Sequence, residues 1–133
     1  MGRRLILDTG VLIAFERRKL DPTSVLDFDD DAAVATVTLT ELKVGVKLSP
    51  PEKRARRTGA IERVLRLCTI EDYTADTAEF HAELKAHCTR TGSPRGELDL
   101  IIAATALETQ RALVTLDRKA DFGGLPGVNV IEL

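Results

Sequence analysis

Arg3-Arg4-Leu5-Ile6-Leu7-Asp8-Thr9-Gly10-Val11-Leu12-Ile13 is the stretch whose reading decides the fold. An apolar run of strand length, residues 3–7, ends on a carboxylate, and beyond a small polar turn the apolar spacing becomes helical, with Leu12 and Phe15 on one side of a helix over 10–18. Near-continuous apolar strands are covered on both faces, as in parallel sheets. In open parallel α/β sheets ligands bind just past the carboxyl ends of the strands, which is where Asp8 stands. Asp, Thr and Gly are also ordinary turn and helix-start residues, so Asp8 alone decides nothing.

The rest of the chain repeats the alternation. Short strands are expected at 33–36, 68–70, 112–116 and 128–131. Helices are expected from Asp21-Pro22-Thr23 to about Phe28, from Thr38 to about Leu48, and over 52–67, 75–90 and 96–110. In the helix over 75–90, Phe80, Leu84 and Cys88 stack at four-residue spacing. Strands alternating with helices predict an α/β fold with a central parallel sheet of about five strands and helices on both faces. A chain of 133 residues fits one domain over 1–133, large enough for its own core.

Composition narrows the function. The chain is 44% hydrophobic and 30% charged with a net charge of −2, so only a local basic patch could hold nucleic acid. Cys68 and Cys88 lack zinc-site spacing and read as reduced core residues. The apolar stretch at the N-terminus is short and broken by Asp8, which predicts no signal peptide, no membrane span and a cytoplasmic protein. His81 and His87, six apart in a helix, do not have metal-ligand spacing, and the chain has no GxxxxGK phosphate loop.

Three more carboxylates join Asp8. Thr38-Leu39-Thr40-Glu41 matches a capping box, yet Glu41 shares its helix arc with Val44, Gly45 and Leu48, so capping and a functional role both stand. Asp99 is followed at three, four and seven positions by Ile102, Ala103 and Ala106. A carboxylate on such a face needs a cation or a proton, unless it is simply a helix-start acid favoured by the dipole. Asp117 ends the strand Leu113-Val114-Thr115-Leu116 as Asp8 ends the first, with Asp121 close behind. Converging carboxylates repel one another, and oxygen ligands suit a hard cation such as Mg²⁺ or Mn²⁺.

Taken in order, Leu7-Asp8-Thr9, Thr40-Glu41-Leu42, Leu98-Asp99-Leu100-Ile101-Ile102-Ala103-Ala104 and Leu113-Val114-Thr115-Leu116-Asp117 make the chain resemble the PIN-domain ribonucleases, most closely the VapC-type toxins of bacterial toxin–antitoxin pairs. The resemblance covers nearly the whole chain. It implies that the first and fourth strands are neighbours at the topological switch, and that Asp8, Glu41, Asp99 and Asp117 form the catalytic, metal-binding pocket. Residues 115–122 run one residue longer than the common family form, which leaves Asp121 as an alternative to Asp117. The implied activity is Mg²⁺-dependent (or Mn²⁺-dependent) endonucleolytic cleavage of RNA, leaving a 5′-phosphate and a 3′-hydroxyl. The implied partners are an RNA substrate, transfer or ribosomal RNA being expected, a cognate VapB-type antitoxin and a second copy of the chain.

An acidic pocket repels RNA, so cations must hold the substrate. Lys53, Arg54, Arg56, Arg57, Arg63 and Arg66 are candidates, with Arg95 closer to Asp99, set against the plainer reading of a solvated helix face. The substrate-binding expectation falls on Thr9, Thr115, Arg95, Arg54 and Arg57. The Arg17-Arg18-Lys19 cluster is explained by the dipole at a helix end. The rival to the nuclease is a non-catalytic module of the same fold that docks protein or RNA. A dehalogenase-type phosphoryl-transfer site is disfavoured because Gly10 stands where a second Asp would be needed.

Overall fold

A computed structural model describes residues 2–133; residue 1 of the expected 1–133 domain lies outside the described residues. Ten elements follow in chain order: β1 (Arg4–Leu7), α1 (Thr9–Glu16), β2 (Asp31–Ala35), α2 (Thr36–Lys47), α3 (Pro51–Leu65), β3 (Thr69–Glu71), α4 (Ala75–Thr91), α5 (Glu97–Thr109), β4 (Ala112–Thr115) and β5 (Val130–Glu132). Single 3₁₀ turns occupy Pro22–Ser24 and Phe122–Gly124. The strands form one sheet in the order β3-β2-β1-β4-β5. Every pairing is parallel.

The order reverses at β1. The chain steps outward through β2 and β3, then returns to lay β4 on the other side of β1, where Ile6 is in register with Leu113 and Leu7 with Val114. The loops leaving β1 and β4 therefore diverge and open a crevice at the carboxyl edge of the sheet. Asp8 N–H donates to Val114 O at 2.9 Å, carrying the pairing of the two strands one residue into that crevice.

Side chains alternate across the sheet. Ile6 and Leu113 face the α4–α5 side and pack with Leu84, Cys88, Leu100, Ile102 and Phe122. Leu5, Leu7 and Val114 face the other side and meet Val11, Leu12, Phe15, Leu42 and Ile61 from α1, α2 and α3. Each of these large aliphatic side chains, once buried, contributes about 1.5–3 kcal/mol. α5 passes between the sheet and α4, which explains a helix apolar on nearly every face, with Leu100, Ile102, Ala103, Ala104, Thr105 and Ala106 all buried. Phe80, Leu84 and Cys88 line one face of α4 as their spacing predicted. Both cysteines are free thiols.

The structure corrects three sequence-based expectations. The helix expected from Asp21 to Phe28 is a single 3₁₀ turn, because the Asp21 carboxylate accepts bonds from Thr23 N–H and Thr23 Oγ1, both at 2.9 Å. Such local bonds compete with helix propagation. The capping box at Thr38–Glu41 does not form: α2 begins at Thr36 straight out of β2, and its N-cap, Ala35, has no side-chain acceptor. The last strand begins at Val130, two residues later than expected.

Candidate functional site

Four acidic side chains border the crevice between β1 and β4. Asp8 caps α1, and its Oδ1 accepts from Thr9 N–H at 2.8 Å. Its Oδ2 accepts from the Thr115 hydroxyl at 2.9 Å, so the last residue of β4 grips the residue that follows β1. Asp8 is 8% exposed. Burial pushes its carboxyl above the usual range against the pull of both hydrogen bonds, and the negative charge of Asp117 adds to the rise.

Glu41 lies on α2, and its Oε1 accepts from the Thr9 hydroxyl at 2.9 Å. Thr9 Oγ1 also lies 3.0 Å from Thr38 Oγ1. Thr38 is fully buried one helical turn before Glu41. The three-residue spacing that suggested a capping box instead places Thr38 and Glu41 side by side on the helix face turned to Thr9. Thr38 is thus a positioning residue that sequence reasoning missed, and that spacing was the available signal.

Asp99 stands in the first turn of α5. Its carboxyl is raised first by burial, then by the charges of Asp8, Asp117 and Glu41, and the Arg95 guanidinium opposes the rise. A single carboxylate therefore feels the other three. Asp117 lies two residues past β4; its N–H donates to Thr115 Oγ1 at 2.9 Å, and its Oδ1 accepts from Lys119 N–H at 3.0 Å and Ala120 N–H at 3.2 Å. Thr115 consequently bridges Asp8 and Asp117 through one hydroxyl.

Asp121 is placed differently. Its backbone is left-handed, with φ 47°. Its Oδ2 pairs with Arg95 Nη2 at 3.5 Å and lies over Gly124, where an added Cβ would come within 2.5 Å of it. Arg95 Nη1 also donates to the carbonyls of Ala120 and Asp121. Arg95 thus fastens the loop after β4 to the lead-in of α5. Arg54 and Arg57 are not brought to the acids. Arg54 Nε donates to Ser49 O at 3.0 Å, and Arg57 binds Glu16, Gly45 and Ser49.

Among the described residues, no three His, Cys, Asp or Glu side chains stand close enough as arranged to chelate one ion. The donor set is nevertheless all oxygen, and at Asp99 the charges of Asp8, Asp117 and Glu41 add to burial in raising the carboxyl, with Arg95 opposing. That chemistry fits a hard divalent cation which keeps part of its water shell, since Mg²⁺ is commonly held by one or two carboxylates with water completing its octahedron.

The family model of the PIN domain matches residues 5–123. Over 130 residues the chain is 31% identical to Ribonuclease VapC of Rickettsia bellii, covering 97% of this chain and 96% of that protein. Over 130 residues it is 35% identical to Ribonuclease VapC5 of Mycobacterium tuberculosis, covering 96% and 92%. Among solved structures it resembles VapBC-5 of Mycobacterium tuberculosis, a member of a family of toxin–antitoxin systems, with a TM-score of 0.79 at 31% identity over 99% of this chain and 100% of that one. The fold also matches VapBC2 of Rickettsia felis bound to a promoter DNA fragment, with a TM-score of 0.88 at 23% identity over 98% of each chain.

Proposed function

The chain belongs to the PIN domain family and, within it, to the VapC ribonucleases, and from that premise we propose that it is the endoribonuclease toxin of a toxin–antitoxin pair whose acidic crevice works with Mg²⁺ or Mn²⁺. What supports the metal reading is an all-oxygen set of acids at the carboxyl edge of the sheet, in which the charges of Asp8, Asp117 and Glu41 all bear on Asp99. Asp8, Glu41, Asp99 and Asp117 would hold the cation. When bound, it supplies positive charge against the phosphate and lowers the pKa of an attacking water.

The chain's own residues prepare that site. Thr115 and the Thr9 N–H stabilise the ionised form of Asp8, which burial disfavours. Thr9 and Thr38 hold the Glu41 carboxylate by a chain of hydroxyls. In the proposed hydrolysis, a bond forms between water oxygen and phosphorus while the bond from phosphorus to the 3′-oxygen breaks; the attacking water gives up a proton, and the leaving 3′-oxygen takes one up from solvent. The products are a 5′-phosphate and a 3′-hydroxyl. The partner is a VapB-type antitoxin, as in the complexes that share this fold. We place the homodimer, the transfer or ribosomal RNA target and the cytoplasmic setting in the same proposal; no described helix is long and apolar enough to cross a membrane.

The test is digestion of total cellular RNA by antitoxin-free protein with Mg²⁺ or Mn²⁺, beside EDTA and the Asp99→Asn variant. Discrete fragments that vanish in both controls, with 5′-phosphate ends, are expected. Intact RNA from folded protein that also fails to bind Mn²⁺ would move the assignment to a non-catalytic docking module.

A further inference from the structure

A second polar cleft, of about 720 Å³, lies away from the acids, between the end of α1 and one face of α3. Arg17, Arg18, Lys53, Arg56, Arg57 and Arg63 line it, in a chain whose net charge is −2. Its one acid, Glu16, is 7% exposed at the side chain and is taken by Arg57 Nε at 3.0 Å. Arg57 also donates to Gly45 O at 2.9 Å and to Ser49 Oγ, and Ser49 Oγ donates to Gly45 O at 2.8 Å. The floor is thus a closed internal network. Among the described residues, Arg18, Lys53, Arg56 and Arg63 make no ion pair or side-chain hydrogen bond, so these wall cations have no protein partner.

Two features separate this cleft from an ordinary solvated helix face. Lys53, Arg56, Ala60 and Arg63 fall at spacings of three, four and three on α3, forming one stripe about 15 Å long. Arg18 holds a left-handed backbone with φ 56° at the end of α1, where Lys19 N–H and Arg18 N–H return to Ala14 O and Phe15 O. Helices that close this way usually place Gly at that position, because a Cβ there is strained. This chain keeps an arginine there, on the rim where α1 meets the basic stripe.

We propose that this cleft is an exosite for the phosphodiester backbone of RNA, set off from Asp8 by the length of α1, about 12 Å, and that it grips substrate remote from the bond that is cut. The identity of the polyanion rests on the ribonuclease reading. The cleft holds phosphates through Arg18, Lys53, Arg56 and Arg63, while Arg57 is a structural strut.

The test is fluorescence anisotropy with a labelled, unstructured 20-nucleotide RNA and the EDTA-treated full chain, at 50–200 mM NaCl. Arg56→Gln/Arg63→Gln should bind more weakly and lose about 1.4 from the slope of log affinity against log salt, so that its deficit shrinks about sevenfold across that range. Arg18→Gly should also weaken binding while its Tm stays equal to or above that of the wild type, separating ligand contact from folding. Lys43→Gln/Lys47→Gln, on α2 outside the cleft, removes the same charge and should keep the wild-type slope. No RNA binding by folded wild type, equal effects in the two double variants, or a glutamate-rich peptide bound more tightly than RNA through Arg56 and Arg63 would each overturn the proposal. Binding without metal needs no cleavage, so failure of the exosite and failure of the nuclease reading are read separately.

Discussion

The Thr115 hydroxyl donates to Asp8 Oδ2 at 2.9 Å across 107 residues of sequence, and the same oxygen accepts the N–H of Asp117. One buried hydroxyl thus ties the ends of the two strands at the topological switch and orients two of the four acids. Thr115→Val keeps the side chain's shape but leaves Asp8 Oδ2 and the Asp117 N–H without this partner. The expected result is a loss of about 1–3 kcal/mol in chemical denaturation, together with about 10–100-fold weaker Mn²⁺ binding by calorimetry.

The raised carboxyls of Asp8 and Asp99 carry a pH signature. A group whose pKa is higher in the folded state stabilises the fold below its unfolded value of 3.8, and that contribution is lost as pH rises through the higher folded value. The metal-free fold is therefore weakened at neutral pH by its own site. Asp99→Asn, measured in EDTA, should raise the Tm at pH 7.5 by about 2–5 °C. The gain should shrink as pH falls toward the ordinary carboxylate range. Asp21, Asp30 and Glu97, whose carboxyls are lowered, act in the opposite sense and are unchanged between the two proteins, so the difference isolates the site.

Gln110 closes α5 in the left-handed region with φ 56°. It is exposed, at the opposite end of α5 from Asp99, and its side chain makes no hydrogen bond among the described residues. Gln110→Gly should stabilise the fold by about 1 kcal/mol by removing that strain, leaving RNA cleavage and Mn²⁺ affinity unchanged. A destabilised variant in urea titration would show that the Gln110 side chain makes a contact of its own.

The sequence made some of this plain and hid the rest for identifiable reasons. Leu5–Leu7 and Leu100–Ala106 announce a covered strand and a central helix because their apolar pattern matches what both must bury. Asp8 and Asp99 stand out because each carboxylate interrupts such a run. Thr38 was hidden because α2 leaves β2 without a capping side chain, so the Thr and Glu spacing mimicked a local motif while serving a contact with Thr9. The division of labour on α3 was equally hidden. Which arginine becomes a strut and which stays free depends on Glu16 and Ser49, brought in by the fold.

Asp117 and Asp121 can be told apart by their partners. Asp117 raises the carboxyls of Asp8 and Asp99 and donates its N–H to Thr115 Oγ1, whereas the Asp121 carboxylate is folded back toward Arg95 and Gly124. Asp117→Asn should lower RNA cleavage by about 100-fold or more, as expected for loss of a direct ligand when even outer partners are worth 10–100-fold. Asp121→Asn weakens only one pairing of Arg95, whose bonds to the carbonyls of Ala120 and Asp121 remain, and should cost less than about threefold, in the range of a surface ion pair. Cleavage rates of both variants at saturating Mn²⁺ decide it. If Asp121→Asn fell as far as Asp117→Asn, the loop after β4 would have to turn over on metal binding, and Arg95 would then be its release point.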